Sequence, residues 1–170
     1  MSHFTTAVFS RSPADVEHLL APYEEGVSHN MPRWDWYTIG GTRFEQIPLK
    51  DGGHTSQAPM SIIDFSPRAE ERQRALKQWN SLYELGGDEA VQPYVDKYGT
   101  REHFADLQAR FIPFAFVDAD GQWHEEGTMG WFGLSSTTKE SMEAYIAELD
   151  EYLQVAQAES LWLTLCDCHI

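Results

Sequence analysis

Residues 3–9, His-Phe-Thr-Thr-Ala-Val-Phe, are aromatic, β-branched or small and predict a strand. Ser12 as N-cap and Pro13 at the first helical position open a helix in which Val16, Leu19, Leu20 and Tyr23 recur at helical spacing; Pro22 and Gly26 end it. The pattern from Trp34 to Ile39 predicts a strand that breaks at Gly40-Gly41, with Arg43 to Leu49 as its partner, a turn at 50–54 and a short apolar strand from Met60 to Phe65. Alternation along 34–39 puts Trp34 and Trp36 on one face and Asp35 and Tyr37 on the other. Ser66-Pro67 repeats the cap signal before a long helix with Ala69, Leu76, Trp79 and Tyr83 along one stripe. Gly86-Gly87 stops it, and two shorter helical pieces follow Asp88 and Thr100. Phe111 to Val117 predicts a strand, Asp118 to Gly121 a hairpin turn and Gln122 to Glu126 the return. Thr137 with Glu140 forms a capping box for a helix whose apolar face holds Met142, Tyr145, Ile146, Leu149, Tyr152 and Leu153, and Leu161 to His169 is the final strand.

This order predicts an α+β fold: an antiparallel sheet with helices packed on one face, ferredoxin-like, in one domain over 1–170 with a helical insertion at 66–110. In such a sheet the first and last strands are antiparallel neighbours at the centre. That pairing brings His3 close to Asp167 and His169.

Composition narrows the class. The chain has 170 residues, 42% of them hydrophobic and 13% aromatic, enough for a folded core. Its longest apolar runs, Phe111 to Val117 and Leu161 to Leu165, fall far short of the ~20 residues a membrane helix needs, and the start lacks a signal-peptide pattern. The two cysteines, Cys166 and Cys168, are spaced too closely along a strand for an ordinary disulfide, which suits a reducing, cytoplasmic compartment. With 12 Lys and Arg against 27 Asp and Glu the net charge is −15, so nonspecific nucleic-acid binding and anionic membrane surfaces are disfavoured. The acidity serves solubility, or else docking on a basic protein; Glu70, Glu71, Glu84, Asp88 and Glu89 cluster in the insertion, partly neutralised by Arg68, Arg72, Arg74 and Lys77.

Unusual residues gather at Trp34 to Gly41, Met129 to Gly133 and Cys166 to Ile170. Cys166, Cys168 and His169 carry metal-donor atoms, but strand alternation separates the cysteines from His169, so no metal and no cofactor is expected. His3, Asp167 and His169 are the candidate catalytic residues, because a carboxylate fixes an imidazole tautomer for acid–base work; His124 or Glu125 of the hairpin are candidate additions. His3-Phe4-Thr5 is also an H-x-T motif, half of the paired signature of two-histidine phosphoesterases, without its second copy. Trp36, Arg43 and Trp131, with the backbone of Gly130 and Gly133, are candidate binding groups for a planar anionic ligand: rings to stack, a guanidinium to pair with a carboxylate or phosphate, and N–H groups that glycine leaves open.

Ser2-His3-Phe4-Thr5, Trp34 to Gly41, Met129 to Gly133 and Asp167-Cys168-His169-Ile170 together resemble a family of uncharacterised proteins of tailed phages and prophages. In that family an Arg and an aromatic follow the glycines directly, whereas here Thr42 precedes Arg43-Phe44. The resemblance implies an accessory or host-interaction protein acting in the bacterial cytoplasm and supplies no catalytic residues. The leading expectation is noncovalent binding of a small planar or nucleotide-like ligand. An acidic inhibitor that covers a basic surface of a host protein comes second, and a small hydrolase using His3, Asp167 and His169 third. Oligomeric state is left open.

Overall fold

A computed structural model describes residues 2–27, 32–40, 47–128 and 135–170. In chain order its elements are β1 (His3–Ser10), α1 (Val16–Leu20), β2 (Trp36–Ile39), β3 (Ile47–Pro48), β4 (His54–Thr55), β5 (Gln57–Pro59), α2 (Ala69–Tyr98), α3 (Arg101–Gln108), β6 (Ala115–Val117), β7 (Trp123–Glu125), α4 (Lys139–Ala158) and β8 (Trp162–His169). The protein is α+β and divides into two compact units, one of residues 1–64, 113–137 and 141–170, the other of 65–112 with 138–140.

The first unit is built on a mixed sheet of order β2-β8-β1-β6-β7, with β5 also on β8. The terminal strands pair antiparallel along their whole length, from His3 opposite His169 to Ser10 opposite Trp162, as expected. Beyond them Ser2 and Ile170 exchange both backbone hydrogen bonds, at 3.0 and 3.1 Å. β2 and β5 share the outer edge of β8, β2 along residues 166–169 and β5 along 162–164.

Two expectations are corrected. The sheet is not antiparallel throughout: β6, the leading strand of the hairpin, lies parallel to β1 with Ala7 opposite Phe116, and β7 takes the edge. A ferredoxin-like sheet would put the returning strand beside β1; the long chain between β1 and β6 permits the parallel crossover instead. Nor are the helices confined to one face. Phe4 and Val8 pack with Val16, Leu19 and Leu20 of α1, whereas Phe9 and Phe116 meet Tyr145 and Tyr152 of α4, Phe9 lying 5.1 Å from Tyr152. The reason is in the strands themselves: β1 from Thr6 onward and β8 from Leu163 onward are buried at every position, so both faces need a cover.

Element ends also move. The strand expected at 111–117 contracts to β6, because Pro113 cannot donate to a ladder; its carbonyl accepts from the Tyr145 hydroxyl at 2.7 Å. α2 starts at Ala69 behind Arg68, whose N–H donates to the Ala109 carbonyl at 2.8 Å, so Ser66 is not its cap. α4 starts at Lys139, and the Thr137 hydroxyl contacts Ser135 and donates to Glu126. The hairpin turn forms as expected, with the Gly121 N–H donating to the Asp118 carbonyl at 3.0 Å.

In the second unit the helical run of α2 breaks at Gly87, whose φ of +61° suits glycine, and resumes beyond it. Its core is Ala75, Trp79, Val91, Phe104 and Ala105, with Tyr94 and Tyr98 against them.

Cys166 and Cys168 are free thiols buried on the α1 side of the sheet. Burial raises both, pushing Cys168 from its ordinary 9.0 up to about 12. In the unfolded chain the thiol ionises near 9, while the native one keeps its proton to about 12, so stability is intact below pH 9 and falls as pH rises through that window. At about pH 10 the loss from Cys168 alone is ~1.4 kcal/mol. Urea unfolding at pH 8 and 10 should show a smaller alkaline loss for Cys168→Ala than for the parent; equal losses would refute this.

Candidate functional site

Direct partners across a sheet share a face. The register therefore sets two rows across β2, β8 and β1: Trp36, His169 and His3 in one, Thr38, Asp167 and Thr5 in the next. His3 and His169 lie on the same face with ring centroids 5.0 Å apart, as the sequence predicted. His3 Nδ1 is 2.9 Å from an Asp167 carboxylate oxygen. His169 Nδ1 is 2.6 Å from a carboxylate oxygen of Asp35. Asp167 and His169 are each only 5% exposed, so these polar groups are held inside the fold by their pairing rather than by water.

A carboxylate against Nδ1 takes the ring N–H donor there and leaves Nε2 as the acceptor of a neutral imidazole. Both rings are thus oriented alike. Trp36 completes the row, stacked on His169 at 5.1 Å and 17° and edge-on to His3 at 5.4 Å. It remains 45% exposed, which leaves indole surface for a ligand.

Asp35 is the residue the sequence pattern missed. Alternation places it away from Trp36, and the structure overturns that reading. Trp34 is buried on the α1 side, edge-on to Tyr37 at 5.1 Å, with its indole N–H donating to the Leu20 carbonyl at 3.3 Å. β2 begins only at Trp36, after the Trp34 carbonyl has accepted from the Glu25 N–H at 2.8 Å and the Asp35 N–H has donated to the His169 carbonyl at 2.9 Å. The chain bends between these two anchors, so the two tryptophans face opposite ways and Asp35 reaches His169. The Trp-Asp-Trp triplet was the available signal.

The hairpin candidates lie elsewhere. His124 is stacked on Phe116 at 4.3 Å, between Glu148 at 2.8 Å and Asp118 at 3.3 Å, and Glu125 pairs with Arg33 at 3.1 Å. Both are engaged structurally and neither joins His3. Arg43, Gly130, Trp131 and Gly133 lie outside the described residues, so of the five candidate binding groups Trp36 alone is described. Among the described residues no group of three or more His, Cys, Asp or Glu could hold a metal ion, and no helix is long and apolar enough to cross a membrane.

No family model matches this chain, and no curated protein or solved structure matches it.

Proposed function

We propose that this protein performs general acid–base chemistry on a small ligand, with His3 and His169 as the proton-transfer groups, Asp167 and Asp35 as positioning carboxylates and Trp36 as a stacking surface. The observation that carries this reading is the meeting of two imidazoles at 5.0 Å, each with a carboxylate on Nδ1. Two such rings suit a displacement that needs a base and an acid at once. In hydrolysis of a phosphoester, one Nε2 removes a proton from water as the water oxygen bonds to phosphorus. The other, protonated, ring gives its proton to the leaving alkoxide as the old P–O bond breaks. Thr5 and Thr38, beside Asp167 in the second row, offer hydroxyl donors to phosphoryl oxygens. The charge of −15 favours a small substrate over a polyanion.

The test is a pH–rate profile on small phosphodiesters, including cyclic nucleotides and nitrophenyl esters. A bell is expected, reporting one protonated and one neutral ring. Turnover that His3→Asn and His169→Asn both leave unchanged would end the proposal.

A second reading, noncovalent capture of a planar ligand, is favoured by the exposed indole of Trp36. Saturable binding with no turnover, lost in Trp36→Ala, would select it. In either case the resemblance to phage and prophage proteins suggests an accessory role in an infected or lysogenic bacterium.

A further inference from the structure

At the β2 edge, toward α1, lies an open cavity of about 290 Å³, walled by Trp34, Trp36 and Tyr37 and rimmed by the acidic residues Glu17, Glu24 and Asp35. Glu17 belongs to α1, Glu24 follows the 3-10 turn at Ala21–Tyr23, and Asp35 is the residue at which the chain bends into β2. Three elements thus bring carboxylates to the mouth of one aromatic-walled pocket. Among the described residues no cation pairs with Glu17 or Glu24, and the nearby Arg33 is committed to Glu125. Burial raises the Tyr37 phenol first, followed by the nearby Cys166, Glu17, Cys168 and Glu24, so both pocket carboxylates act on the ring.

From this geometry we infer that the pocket binds an alkylated ammonium group. Aromatic walls attract a cation through their quadrupoles, and a quaternary ammonium, which has no N–H to satisfy, needs only such walls and diffuse negative charge. A metal ion would need tight oxygen ligation, and an anion is repelled by all three carboxylates. A trimethylammonium head is small enough for the volume. The pocket adjoins the acid–base row, with Asp35 and Trp36 common to both, but binding in it does not depend on catalysis there.

The experiment titrates the full chain by calorimetry with choline, with its uncharged isostere 3,3-dimethyl-1-butanol, and with a short peptide carrying trimethyllysine. Saturable binding of choline is expected, with about tenfold or greater preference over the neutral isostere. Glu17→Gln with Glu24→Gln, both changes at partly or fully exposed positions that leave the core untouched, should weaken choline by about tenfold while the thermal midpoint holds. Tighter binding of the peptide than of choline would assign the cation to a protein side chain, and the reverse order to a free metabolite. Equal binding of choline and the isostere, no saturable binding of either cation, or unchanged affinity in the double variant would overturn the inference.

Discussion

Turnover by His169→Asn is expected to fall by ~10²–10⁴ from that of the parent chain, the usual worth of one positioned acid or base, or ~3–5 kcal/mol on the barrier. Asparagine is the informative replacement because its amide nitrogen stands near the place of Nδ1 and can still donate to Asp35, whereas nothing replaces Nε2. His169 is 5% exposed and stacked on Trp36, so a truncation to alanine would leave a void and mix folding with chemistry. With asparagine the stability loss should stay near ~1 kcal/mol. His3→Asn should behave alike, and the double variant should be little worse than either single one, since two groups acting in one step are not additive. Asp35→Asn should reduce turnover less than His169→Asn and shift the pH–rate profile, the signature of a positioning residue. Loss of activity that merely tracks unfolding in a urea titration would instead make both histidines structural.

Phe116→Ala is expected to destabilise the protein by ~3–5 kcal/mol, the range for emptying a buried aromatic site. Phe116 is fully buried in the middle of the three-residue strand β6, beside Ala7 of β1. His124 is stacked on it at 4.3 Å, Tyr152 at 5.4 Å, and Phe9 and Tyr145 approach at 5.9 and 5.8 Å. Removing the ring therefore strips contacts from two strands and from α4 together. The neighbours cannot collapse into the gap without disturbing His124, which is also held by Glu148 and Asp118. Urea unfolding measures the effect, and a loss below ~1 kcal/mol would contradict α4 as the cover of this face.

Much of this was legible along the chain. The apolar runs at 3–9 and 161–169 sufficed for two central strands, and the antiparallel pairing expected of them brings His3, Asp167 and His169 together. Local chemistry also located the hairpin turn at Asp118 to Gly121, the break at Gly87 and the placement of both cysteines on the face of the last strand away from His169, because glycine conformation and two-residue alternation act over a few neighbours. The tertiary structure decided what depends on distant partners. Which hairpin strand lies beside β1, and that helices cover both faces, follow from apolar strands that must be enclosed on each side. The His169–Asp35 pair could not be read from period-two alternation, since backbone anchors to Glu25 and His169 bend the chain between Trp34 and Trp36 and turn the two indoles to opposite faces. Alternation is a property of a strand already paired; where pairing begins is set by the rest of the fold.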